Sequence, residues 1–136
     1  MNARIALEDQ PSLPVLQWND GLALSAKEHC MDMGSKGMYG HLGSERQSFV
    51  DRLARYGLSS DARAQITAYQ RPSPDDMILQ MIIGDEVPNK TSRGYMKLWN
   101  PYFSEIGIGA CTHVGKGNMA VITLASYYSP NELGRQ

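Results

Sequence analysis

The chain has 136 residues, 42% of them hydrophobic and 20% charged, with a formal charge of -1. That is enough chain and enough apolar matter for one domain with its own core, which excludes a disordered segment. Without clustered Lys and Arg, a general electrostatic attraction for nucleic acid is excluded as well, and no apolar run approaches the roughly 20 residues that span a bilayer.

In chain order, the opening from Met1 to Glu8 lacks the long apolar core of a secretory signal. Residues 1–12 read as a loosely ordered segment, with Leu13 and Val15 the first to pack. Asn19 or Asp20 caps a helix whose apolar positions are Leu22, Ala23, Ala26, Cys30 and Met33, with Gly34 as its expected stop. Residues 34–44 hold four glycines and read as a loop carrying His41. Ser48 caps a second helix with Phe49, Val50, Leu53 and Tyr56, ended by Gly57. The polar stretch from Leu58 to Pro72 has no clear period. Ser73-Pro74-Asp75-Asp76 is a strong helix start: a hydroxyl to cap, a proline suited to the first turn, and two carboxylates at the positive end of the dipole. That helix runs through Met77, Ile78, Met81 and Ile82 to about Gly84. A polar loop and a short helical turn at Tyr95–Trp99 follow. The period then changes to two, with Ile106, Ile108 and Ala110, then Val121, Thr123 and Ala125, around Gly115-Lys116-Gly117-Asn118. Helices first and an antiparallel hairpin last predict the α+β class, helices packed on a sheet.

Cys30 and Cys111 admit either one disulfide or two buried thiols, because sequence spacing alone does not bring them together. His29 and Cys30 are neighbours on a helix and point apart, which argues against a catalytic pair. Cys111 and His113 share one strand face about 7 Å apart, too far for direct activation of the thiol. They read as a core thiol and a surface histidine. The methionines at 31, 33, 77 and 81 read as helix core. Trp18, Trp99, Tyr102 and Phe103 read as core aromatics, whose exposure would instead signal ligand or protein contact. Gly107 and Gly109 permit close backbone packing and form no phosphate cradle, since no strand-to-helix turn surrounds them.

Five motifs, in order, resemble one family. Leu16-Gln17-Trp18-Asn19-Asp20-Gly21-Leu22-Ala23 with Ala26 is similar to the opening helix motif of CAP domains, the superfamily of cysteine-rich secretory, antigen 5 and plant pathogenesis-related proteins. His41 in Gly40-His41-Leu42-Gly43-Ser44 resembles that family's first cleft histidine. Arg52 with Tyr56-Gly57, then Leu98-Trp99-Asn100-Pro101 with Phe103, then Ile106-Gly107-Ile108-Gly109 and the strand Val121–Ala125 follow the family's order. Ile82-Ile83-Gly84-Asp85 resembles most the branch found in protists and some bacteria. The resemblance implies a single α–β–α sandwich over residues 13–128, with a central antiparallel sheet, and a tail over 129–136. It also implies an extracellular or cell-surface protein.

The cleft of such domains gathers two histidines and two acidic residues, a set that could hold zinc or orient a water. Here His41 matches the first histidine, but the second falls on Gly94 or Tyr95. The first acid falls on Ala64 or Gln65, and glutamine neither acts as a base nor attracts a cation as carboxylate does. The second acid falls near Asp85 or Glu86. One imidazole and one carboxylate make a poor zinc site, so the expectation is no metal and no other cofactor. The candidate cleft is therefore His41, Gln65, Asp85, Glu86 and Tyr95, with no catalytic residue assigned. The leading expectation is a non-catalytic domain that binds a lipid, a sterol or a protein partner. The alternatives are a divergent hydrolase using His41 with Asp85 or Glu86 and Tyr95, and an interaction module acting through its surface.

Overall fold

A computed structural model describes residues 15–59, 63–69, 76 and 102–135. In these, a two-residue strand β1 (Gln17–Trp18) leads into α1 (Asp20–Lys36), a loop, α2 (Phe49–Tyr56) and the short β2 (Gly57–Ser59). β3 (Arg63–Tyr69), β4 (Glu105–His113), β5 (Gly117–Ala125) and β6 (Tyr128–Pro130) follow, then a 3-10 turn at Leu133–Arg135. The main sheet has the order β1-β4-β5-β3, with β1 parallel to β4 and the other pairs antiparallel; β2 and β6 form a separate antiparallel ribbon. The α+β class is the expected one. The predicted hairpin is β4–β5, in register from Glu105↔Ala125 to His113↔Gly117.

α1 begins where expected. The Asn19 side chain accepts from the Gly21 and Leu22 amides at 3.0 and 3.3 Å, satisfying two of the helix's orphan donors. The same side chain donates to the Tyr128 carbonyl at 2.9 Å and to Glu105 Oε2 at 3.1 Å, so the cap also ties α1 to β4 and β6. The helix does not stop at Gly34. It continues to Lys36 and ends at Gly37, which takes the left-handed conformation (φ 65°) that closes a helix. Gly34 serves another purpose: a Cβ there would strike the Thr112 carbonyl, so it is a point of close approach to β4. Gly107 and Gly109 do the same from the strand side, facing the α1 backbone at Leu22–Ala23 and Ala26–Lys27. α2 starts at Ser48 in a full capping box with Asp51, as its sequence predicts.

The sheet separates two apolar regions. Toward α1 lie Ala26, Cys30, Met33, Met119 and Val121; where α2 joins, Leu22, Leu53, Ala125 and Tyr128 meet. Tyr128 donates to the Leu53 carbonyl at 2.6 Å, and burial pushes its hydroxyl up to about 12. The opposite face collects Ile66, Ala68, Ala120, Ile122 and Leu124, with Leu16, Phe103 and Ile106 against them. β3 falls in the stretch without a clear sequence period. Its apolar alternation, Ala64, Ile66, Ala68, uses two alanines and is too faint to read before the pairing with β5 is known.

Several expectations are corrected. Cys30 and Cys111 form a disulfide that staples α1 to β4, with Cα atoms 6.0 Å apart, so Cys111 is not a free core thiol. His113 is buried rather than on the surface. Met33 is core, but Met31 is exposed on the opposite side of α1. Trp18 and Tyr102 are 56% and 75% exposed, which removes both from the core, and Val15 is exposed rather than packed. Asp76 is helical, as the predicted start at Ser73 requires. The rest of that helix, Met77 and Met81 within it, the turn at 95–99, Trp99 and residues 1–12 lie outside the described residues.

Candidate functional site

His41 sits on the loop between α1 and α2. That loop leaves its large apolar side chains exposed, and its shape is set by hydrogen bonds to its carbonyls and amides. His113 Nε2 donates to the Met38 carbonyl at 2.9 Å while its Nδ1 accepts from the Gly115 and Lys116 amides at 3.1 and 3.0 Å. His29 Nε2 donates to the Gly40 carbonyl at 2.8 Å, and the Gly40 amide donates to the Tyr69 hydroxyl at 3.2 Å. Arg52 Nη2 donates to the His41 carbonyl at 2.8 Å. Asp32 accepts from the Ser44 amide at 2.8 Å, the Ser44 hydroxyl at 2.6 Å and Lys36 at 2.6 Å. Burial opposes the charge on Asp32, but these donors outweigh it and hold the carboxyl down at about 2.

Of the two candidates for the acidic position, Gln65 is the one beside His41. It is buried on β3, with Nε2 at 2.7 Å from His41 Nδ1 and Oε1 at 2.8 Å from Arg52 Nη2. Arg52 fixes the chemistry of this trio. A guanidinium only donates, so it must face the amide oxygen of Gln65, which turns the amide NH2 toward His41. His41 Nδ1 is therefore an acceptor, and the neutral ring carries its proton on Nε2. His41 as a residue is exposed on the loop. Arg52 is nearly fully buried, also donating to the Gln47 carbonyl at 3.1 Å, and desolvation lowers its pKa from the usual value.

Around His41 the loop presents a rim of apolar side chains to solvent. Met38, Tyr39 and Leu42 are 39%, 53% and 57% exposed. Tyr39 rests on Tyr69 and His113, with ring centroids 5.3 and 5.0 Å away, and Lys116 Nζ lies 5.8 Å from the Tyr39 centroid. Val114, at the tip of the β4–β5 hairpin, is exposed beside Gly37.

The model of the CAP family, described as the cysteine-rich secretory protein family, matches residues 9–127. The chain belongs to the CAP family. Two solved structures are similar. One is an extracellular protein containing an SCP domain from Bacillus anthracis, at TM-score 0.66 and 19% identity, covering 84% of this chain and 34% of that one. The other is an outer surface protein from Borrelia burgdorferi, at TM-score 0.66 and 17% identity, covering 84% of this chain and 79% of that one. The chain thus spans about a third of the Bacillus anthracis protein. At these identities the likeness is one of fold. No curated protein matches the sequence.

Within this CAP domain the structure joins His41 to Gln65 and leaves Ala64 on the other face of β3, half-buried against the second apolar cluster. Asp85, Glu86, Gly94 and Tyr95 lie outside the described residues. The described groups do not suit a divalent ion. The His41 lone pair is taken by an amide N–H, the Gln65 oxygen is taken by Arg52, and the guanidinium itself repels a cation. Among the described residues no three His, Cys, Asp or Glu side chains come together as metal ligands. Sequence reasoning misses Asp32, His29, Tyr69 and His113 as the anchors of the His41 loop. For His29 a signal exists: with Leu22, Ala26 and Met33 it completes a buried helical stripe, where a polar residue needs a partner.

Proposed function

We propose that this chain is a non-catalytic extracellular binding domain whose ligand is a lipid or sterol. The observation that carries this reading is the Gln65 amide beside His41, locked by Arg52 with its NH2 toward the ring. An amide does not exchange protons as a carboxylate does, and its N–H occupies the imidazole lone pair that a metal would need. What the site offers is exposed Met38, Tyr39 and Leu42 on the loop that carries His41, a surface suited to an apolar molecule. The Cys30–Cys111 disulfide supports an oxidising compartment, and the two similar structures are named as extracellular and outer-surface proteins.

The test is a binding screen with a fluorescent sterol and a fluorescent fatty acid, alongside zinc titration and ester and peptide hydrolysis assays. The expected result is retention of one of the two lipids, weakened about tenfold by Leu42→Asp through loss of apolar contact. Zinc binding or hydrolysis that disappears in His41→Ala would overturn the reading. Capture of neither lipid, with a protein bound through the same rim, would replace the lipid with a protein partner.

A further inference from the structure

Among the described residues, five side-chain atoms are buried without a hydrogen-bond partner: Ser25 Oγ, Glu28 Oε2, His29 Nδ1, Arg52 Nε and Thr123 Oγ1. They are not scattered. Ser25, Glu28 and His29 stand at i, i+3 and i+4 on α1 and so share one face. Arg52 comes from α2, and it bonds the His41 carbonyl while His29 bonds the adjacent Gly40 carbonyl, so the two side chains converge on one stretch of backbone. Thr123, on β5, is the cross-strand partner of Gln65, which accepts from Arg52. The orphaned atoms thus lie on α1 and on α2 and β5, two elements packed against it at this interface.

We propose that this interface encloses an ordered water, bound between Arg52 Nε and His29 Nδ1. The hydrogen-bonding characters fit. Arg52 Nε–H can only donate. The Gly40 carbonyl can only accept, so His29 Nε2 carries the ring proton and Nδ1 is an acceptor. The two atoms therefore need a molecule that accepts from one and donates to the other, as water does. A buried water makes about three hydrogen bonds, and the unpartnered hydroxyls of Ser25 and Thr123 are groups able to supply a third. An ion fits worse. The guanidinium repels a cation, while the Glu28 carboxylate and the His29 lone pair repel an anion. A dry interface fits worst, because each buried orphan carries its full desolvation cost and five together would cancel much of a domain's net stability.

The position gives the water a role. His29 holds the Gly40 carbonyl and Arg52 holds the His41 carbonyl, which are consecutive on the loop. A water joining the other ends of these two side chains closes a ring beneath them, so the backbone that presents His41 is braced from the interior.

The test is a high-resolution crystal structure of the whole chain, with a solution measurement of water–proton cross-relaxation at the Arg52 Hε. The expected result is one peak of water density within hydrogen-bond reach of both Arg52 Nε and His29 Nδ1, and a cross-peak to a long-lived water in solution. A dry interface, with these two atoms bonded to protein groups instead, would overturn the proposal. So would density that refines as an ion.

Discussion

The two sides of α1 hold the molecule by different physics. One side, Leu22, Ala26, Cys30 and Met33, lies against the sheet through apolar contact, glycine-paired backbone approach and a disulfide. Beside it, Glu28, His29 and Asp32 meet α2 and the His41 loop through directional polar bonds. Burial on the first side is insensitive to pH and tolerant of small shifts. The second side fixes a loop that has no core of its own, and it depends on protonation states and on geometry to a few tenths of an ångström. The site therefore rests on the less robust seam of a helix whose other seam is stapled.

That contrast can be broken from either side. Replacing both Cys30 and Cys111 by alanine frees a loop closed over 81 residues and is expected to cost about 4 kcal/mol by the chain-entropy account, read as a drop in denaturant midpoint. Gly107→Ala drives a Cβ into the backbone of α1 at Leu22–Ala23 and should cost about 3 kcal/mol, while a substitution at exposed Gly117's neighbour Lys116 should be near neutral. On the polar seam, burial lowers the pKa of His29 from 6.5 to about 4 despite its bond to Gly40, with Arg52 adding to the effect. The unfolded chain binds the proton first, so this stabilisation is present above pH 6.5 and is lost as pH falls toward about 4. The expected loss is ~2 kcal/mol once solvent screening is allowed for, read as a falling denaturant midpoint and abolished by His29→Gln. Asp32 acts in a separate window, its contribution present above 3.8 and lost toward about 2. Asp32→Asn, the smallest effect, should cost about 1 kcal/mol and show as faster amide exchange at Ser44 rather than as global unfolding.

The residues that make each part readable are of different kinds. Asn19, Ser48 and the alternation in β4 and β5 act over a few positions, and each is recognisable in the sequence. Gly34 reads as a helix stop because the reason for a glycine there is the Thr112 carbonyl, distant in sequence. β3 escapes detection because alanines mask its period. In the site, His41 is legible from its motif, but only the β3–β5 register puts Gln65 rather than Ala64 beside it. His113 reads as a surface residue because Tyr39 and Tyr69, which cover it, arrive from a loop and from another strand.

The sequence by itself determined the α+β class, the CAP family, the caps of both helices and the neutral Ala64–Gln65 pair where the family's first acid is expected. Those features live in local spacing, local hydrogen bonding and residue type. The tertiary structure alone decided that the two cysteines pair, that His29 and His113 turn inward to hold a loop, and that Arg52 sets the orientation of Gln65 and hence the proton position on His41. Each of these is a contact between residues far apart in the chain, and no local pattern encodes the distance between them.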